Sequence, residues 1–186
     1  MTAYDIITIP APALRKIAEP VENVNEEIQD QLLRMRESLE HAAGIGLAAN
    51  QVNILNRVVL VNVAEANWEF GEADKDGILP ITSKPHGEDN LRCMINPEII
   101  WESEEKSVYE EGCLSIPGQY ADVIRPAHVV VKYVDEKGDV VEAKVSGLES
   151  HCVQHEIDHL NGKLFIDYLS SLKRNMIMRK FKKARI

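Results

Sequence analysis

Apolar residues at Val24, Ile28, Leu32, Met35, Leu39 and Ala42 recur at spacings of 4, 4, 3, 4 and 3, with polar residues between them. That is the period of one helix face, so an amphipathic helix is predicted here. Asn25 is placed to cap it, Glu26 and Glu27 suit the positive end of the helix dipole, and Gly44 is placed to stop it. Elsewhere the pattern shortens to strand-like runs rich in β-branched residues, at 57–63, 92–103, 127–134 and 140–146. The last two flank Asp135-Glu-Lys-Gly138 and read as a hairpin. A second helix is predicted over 147–161, stopped at Gly162, and a third from about Ser171 toward the C-terminus. Residues 6–21 hold three prolines and read as an extended surface arm. Residues 64–90, with seven acids, two lysines and scattered Gly and Pro, read as a long irregular loop insertion. Strands followed by helices, without βαβ alternation, predict an α+β fold with mainly antiparallel sheets in one domain spanning 1–186.

Composition narrows the class. A chain of 186 residues with 45% hydrophobic content can fill one core, which excludes wholesale disorder. The longest apolar run, 58–61, is four residues, so no membrane association is expected. No basic and apolar leader opens the sequence, and three cysteines (Cys93, Cys113, Cys152) argue against a disulfide framework. A reducing cytoplasm is the expected compartment. The net charge is −9, but residues 172–186 hold seven basic residues and no acid, which leaves −16 on the rest. Such an acidic body repels phosphates, so nucleic-acid binding by the body is not expected.

The densest chemistry is His155-Glu156-Ile157-Asp158-His159. On a helix two histidines four apart share a face and can reach one ion, while Glu156 sits about 100° round the axis and can approach a water. Leu148, Cys152, His155 and His159 follow at spacings of 4, 3 and 4, which puts the histidines on an apolar stripe instead of a solvated face. Two imidazoles are too few for a catalytic metal, which usually has three protein ligands and an open position. The cysteines, Asp167 and His151 are the candidates for the third. Cys152 reads more readily as core packing. For Cys113, in Glu111-Gly112-Cys113-Leu114-Ser115, spacing alone does not decide. In Gly44-Ile-Gly-Leu-Ala-Ala-Asn-Gln51 two glycines permit close backbone approach, but the segment lacks the further glycine and the Lys-Ser/Thr of a phosphate loop. It reads equally as a helix cap with a loop, or as an edge that receives a peptide backbone with the Gln51 amide as donor.

These three segments, in this order, resemble the signature motifs of the peptide deformylase family. Pro10-x-x-x-Leu14-Arg15 and Gly162-Lys-Leu-Phe-Ile-Asp-Tyr168 extend the resemblance to nearly the whole chain, 64–90 apart. It implies sheets packed around a central metal-binding helix, with further helices near both ends. The implied activity is removal of the formyl group from the N-terminal methionine of nascent bacterial proteins, with release of formate. The implied metal ligands are Cys113, His155 and His159, holding one Fe2+ per chain, with Zn2+, Ni2+ or Co2+ able to substitute; Cys152 becomes pocket wall. A water activated by the ion attacks the formyl carbon, with Glu156 as general base and then acid. The oxyanion forms against the metal, the Gln51 amide and the Leu114 backbone N–H. Ile45, Gly46 and Gly112 supply main-chain contacts to the peptide, whose methionine side chain meets Ile45, Leu148, Cys152 and His155. Glu111 pairs with Arg125 to brace the cysteine loop. His151 falls at the pocket rim with no role assigned. Tyr120 stands where some relatives carry a basic residue contacting the distal peptide, so the resemblance implies no preference beyond the methionine.

Leu169, Leu172 and Met176, with Ile177 and Phe181 beside them, give the last helix a modest apolar stripe among its cations. The resemblance implies that this basic helix, 171–186, docks on the ribosome; the alternative is a solvated helix packed on the acidic body. Two other classes stand beside the deformylase reading. A metallopeptidase would use the same metal chemistry on internal peptide bonds without releasing formate. A non-catalytic RNA-binding module using the tail would leave Glu156 and Gln51 without a purpose.

Overall fold

Helix α1, Glu26–His41, forms over the predicted periodic stretch, and the Asn25 side chain accepts from the Ile28 N–H at 3.1 Å. It ends three residues short of Gly44, because Ala43 takes the left-handed conformation (φ 50°) that the glycine was expected to supply. The structure is a computed structural model, and it describes residues 2–63, 71–81 and 90–184. In chain order its strands are β1 Gly46–Ala48, β2 Val58–Asn62, β3 Ile78–Pro80, β4 Leu91–Glu102, β5 Lys106–Gly112, β6 Tyr120–Pro126, β7 His128–Val134 and β8 Val140–Ser146. They form two sheets, β1-β2-β4-β7-β8, antiparallel throughout, and β3-β5-β6, in which β3 runs parallel to β5. The buried face of α1 (Ile28, Leu32, Met35, Leu39) packs with Leu47, Val58, Leu60, Cys93 and Ile95 of the larger sheet. Each such side chain contributes roughly 1.5–3 kcal/mol by leaving water.

The three-stranded sheet was not anticipated. Its inward positions include Ser107, Glu111 and Arg125, all buried and all polar, so β5 and β6 lack the alternating apolar signal by which strands are recognised. Strand β3 falls within the loop expected over 64–90, so that loop is not irregular throughout; residues 64–70 and 82–89 lie outside the described part.

Helix α2, Gly147–Leu160, runs between the two sheets, touching β1, β2 and β8 on one side and β5 and β6 on the other. All fourteen of its residues are buried, so the single apolar stripe predicted from sequence understates its burial. Val153, Ile157 and Leu160 join Val59, Val61, Met94 and Val131 in the main core. The helix stops where expected. Gly162 has φ +70°, and a Cβ there would strike the Arg15 carbonyl. The N-terminal arm crosses at this point: the Ala18 N–H donates to Leu160 O at 2.8 Å. Further up the arm, the Ile7 N–H donates to Gln51 O and the Ile9 N–H to Ser115 O, at 2.8 and 3.1 Å. One extended segment thus ties together two of the motifs.

Helix α3, Ser171–Lys183, is capped by the Ser170 side chain and buries Ile177 and Phe181 against Ile9, Leu14 and Phe165. The expected stripe holds in part: Leu169, Ile177 and Phe181 are buried, but Leu172 and Met176 are 71% and 50% exposed, because the face that meets the body is the one carrying Ile177 and Phe181. No helix among the described residues is long and apolar enough to cross a membrane.

Candidate metal and catalytic site

The alternation of β5 aims Ser107, Tyr109 and Glu111 along one strand face, and the strand delivers Cys113 just past its end. Helix α2 delivers His155, Glu156 and His159. Cys113 Sγ lies 3.2 Å from His159 Nε2, and one ligand atom each from Cys113, His155 and His159 lie within 4.8 Å of one another. A tetrahedral ion bound through sulfur and nitrogen separates its ligand atoms by about 3.5 Å. The three residues therefore fit a divalent cation after small rotations. Among the described residues no other three His, Cys, Asp or Glu side chains do so.

The electrostatics of the trio favour a cation. Burial drives His159 well below the ordinary histidine range, which leaves its ring neutral and its lone pair available. Burial also disfavours charge on His155, but hydrogen bonds to Cys113 and Glu111 outweigh it and raise that residue well above the usual value. With Nδ1 engaged by Glu111, it is the other ring nitrogen, Nε2, whose proton a divalent ion would displace. Burial pushes the Glu156 carboxyl up to about 7. Its Oε2 is buried with no hydrogen-bond partner among the described residues, as is His159 Nδ1. A buried carboxylate oxygen left without a donor marks the position of a missing polar group.

Glu111 and Arg125 are each 4% exposed, so their pair is not a surface contact. Arg125 grips Glu111 bidentately, Nε to Oε1 at 2.5 Å and Nη2 to Oε2 at 3.0 Å, and sends Nη1 to Asp158 Oδ2 at 2.8 Å. Although burial opposes the charge of Glu111, donors from His151, His155 and Arg125 hold its carboxyl well below the usual range. Tyr168 also donates to Asp158, at 2.8 Å. The expected brace is therefore a network, buried at Glu111 and Arg125, that joins β5, β6 and α2 and reaches the half-exposed Tyr168 in the segment after it. Sequence reading missed Asp158 and Tyr168 as members.

Gln51 is oriented by its own segment. Its Oε1 accepts the Ala48 N–H at 2.8 Å, which fixes the amide flip and leaves Nε2 pointing at Cys113 Sγ (3.6 Å) and Ser115 Oγ (3.3 Å). A cavity of about 360 Å³ is lined by Ile45, Gly46, Gln51, Gly112, Cys113 and Leu114, together with Tyr120, His155 and Glu156. Strand β1 is an edge of its sheet, so its outer side can take another strand. Glycine is required at 46: a Cβ there would fall within 3 Å of Glu156 Oε1 and Cys152 Sγ. At 112 a Cβ would strike the Tyr120 ring.

A smaller recess of about 60 Å³ opens beside it, walled by Ile45, Leu148, Cys152 and His155 with Tyr109 and His151. His151 was expected at the rim, yet it is 1% exposed, with both ring nitrogens engaged. Tyr109 and Ser107 were missed; their period-two spacing to Glu111 was the available signal. Another cavity, of about 680 Å³, lies elsewhere, with Asp158, Asn161 and Tyr168 in its wall but none of Cys113, His155 and His159.

The family model described as polypeptide deformylase matches residues 3–175. A peptide deformylase of Afipia carboxidovorans is 46% identical over 184 residues, covering 99% of this chain and 96% of its own. One from Rhizobium meliloti is 43% identical, covering 99% and 95%. The crystal structure of peptide deformylase from Ehrlichia chaffeensis superposes with a TM-score of 0.83 at 37% identity, over 99% of this chain and 97% of that one.

Proposed function

This chain belongs to the polypeptide deformylase family, and we propose that it hydrolyses the N-terminal formyl group of nascent peptides with Cys113, His155 and His159 as metal ligands and Glu156 as the proton carrier. Peptide deformylases are metal-dependent hydrolases acting in protein biosynthesis. The observation that carries the residue assignment is the orphaned, buried Glu156 oxygen beside the Cys-His-His trio, with the Gln51 amide aimed at the same point.

A divalent cation, when bound, supplies Lewis-acid activation of water and of the formyl oxygen. Glu156, buried and poised near neutrality, accepts a proton from the attacking water and returns it to the departing amine. Gln51 Nε2 and the Leu114 N–H donate to the oxygen on which negative charge develops, and Ala48 keeps the Gln51 amide from flipping away. The free edge of β1, with Ile45 and Gly46, and Gly112 across the cleft pair with the peptide backbone. Ile45, Leu148, Cys152 and His155 enclose the methionine side chain. On formyl-Met-Ala-Ser the protein is expected to release one formate per peptide, and none from the unformylated peptide. Cleavage of internal bonds without formate would instead support a metallopeptidase.

For the ion we propose Fe2+, one per chain, as the resemblance to the family implies. Zn2+, Ni2+ or Co2+ can take its place on the same mixed sulfur and nitrogen donors, and affinity ordering favours Zn2+ over Fe2+. Metal analysis of protein purified without oxygen identifies it.

We further propose cytoplasmic action on the ribosome, with α3 as the contact. Arg174 is taken up by the carbonyls of Ile166, Asp167 and Leu169, whereas Lys173, Arg179, Lys180, Lys182 and Lys183 are exposed, alongside Leu172 and Met176. Arg185, the seventh cation, lies outside the described residues. Contact with roughly four phosphates makes affinity fall on the order of 100-fold between 50 and 200 mM salt. Ile177 and Phe181 belong to the core, so deletion of the helix is a poor test. Replacing Lys173, Arg179, Lys180 and Lys182 together by Ala is expected to abolish ribosome co-sedimentation and to spare turnover of free formyl-peptide. Unchanged co-sedimentation would make α3 merely a packed, solvated helix.

A further inference from the structure

Glu111 receives four N–H donors, two on each oxygen: Oε1 from Arg125 Nε (2.5 Å) and His151 Nδ1 (3.2 Å), Oε2 from Arg125 Nη2 (3.0 Å) and His155 Nδ1 (2.8 Å). An ionised carboxylate only accepts, through about four lone-pair sites, so the group is saturated. Both imidazoles must then carry a proton on Nδ1. For His155 this leaves the Nε2 lone pair for the ion. For His151 it leaves Nε2 toward Ser107, whose Oγ lies 2.9 Å from it. Ser107 is wholly buried and His151 is 1% exposed, so water does not compete for either contact.

Arg125 ties Glu111 to β6. His151 ties it to the helix that carries the ligands, one turn before His155, so Glu111 is clamped between two successive turns of α2. His159 has no comparable anchor, since its Nδ1 lacks a partner among the described residues. We propose that Ser107 and His151 are positioning residues, a buried hydroxyl–imidazole arm that holds Glu111 in one rotamer and thereby fixes the tautomer and ring orientation of His155. This rests on the reading of His155 as a metal ligand given above. Such outer contacts typically alter metal affinity by 10- to 100-fold when removed.

The test uses full-length protein stripped of metal and titrated with Ni2+ against a chelator, with the visible absorption of the Co2+ form as a second readout. His151→Leu is expected to weaken Ni2+ binding about 10-fold, to shift the Co2+ bands, and to lower kcat more than it raises KM. In His151→Asn the amide nitrogen falls near the position of the imidazole Nδ1–H, so affinity should return to within about three-fold of the unsubstituted protein. Ser107→Ala, the milder change, should weaken Ni2+ binding in the same direction by a smaller factor, and it decides the matter should His151→Leu fail to fold. Equal losses in the Leu and Asn variants, or unchanged Ni2+ affinity with a raised KM alone, would make His151 only a wall of the methionine recess and overturn the proposal. Failure of the unsubstituted protein to bind Ni2+ would overturn the ligand set itself, and this arm with it.

Discussion

Glu156→Gln is expected to lower kcat on the order of 1,000-fold while leaving the metal content and the fold unchanged. Glutamine preserves the shape of a side chain that is only 4% exposed, so packing around α2 is retained. It cannot take up or return a proton, and general acid–base catalysis typically contributes about 100- to 10,000-fold. The large effect follows from position. Burial lifts the carboxyl to about 7, so near neutrality both of its forms are populated, and no hydrogen bond from the described residues engages Oε2. Formate release read beside metal analysis separates chemistry from binding. Turnover within a few-fold of the unsubstituted enzyme would remove Glu156 from the proton path.

Cys113→Ser and His159→Ala should each cost the protein its metal, with affinity for a divalent ion falling by more than about 100-fold. A serine hydroxyl is far harder to deprotonate than a thiol, so it cannot replace the soft anionic donor at 113. Removing His159 leaves one sulfur and one nitrogen of the proposed set, too few to retain the ion through dialysis. Full occupancy in either variant after dialysis would break the assigned trio. Full occupancy combined with lost activity would move the ion elsewhere in the cleft.

The contrast between α2 and β5 explains how much of the site was legible. The spacing of His155, Glu156 and His159 is a property of the helix, and a helix is specified by residues within a few positions of one another. The motif therefore placed these side chains before any tertiary structure was known. The hairpin around Gly138 and the stop at Gly162 were legible for the same reason, and both glycines have positive φ. Strand β5 gave no such signal, because its inward residues, Ser107 and Glu111, are polar, and nothing within the strand says that they find partners on a helix about 40 residues later in the chain. His151 was misplaced by the same limit. On the helix alone it is a polar residue at a pocket edge, and only the approach of β5 buries it. Leu172 and Met176 of the expected α3 stripe went wrong for a related reason, since Leu172 and Ile177 are equally apolar and only the body decides which of them turns inward.

The sequence by itself determined the elements that local chemistry specifies: α1 with its Asn25 cap, the histidine pair on α2, the glycines at turns, and, through three motifs, the family. Only the tertiary structure decided that Glu111 saturates its oxygens with donors from β6 and α2, that His151 and Ser107 lie behind it, and that Glu156 keeps a buried oxygen without a hydrogen-bond partner among the described residues. Periodicity and capping are set by neighbours along the chain. A buried charge network is set by which distant groups arrive together out of water, where each must find a partner in whatever surrounds it.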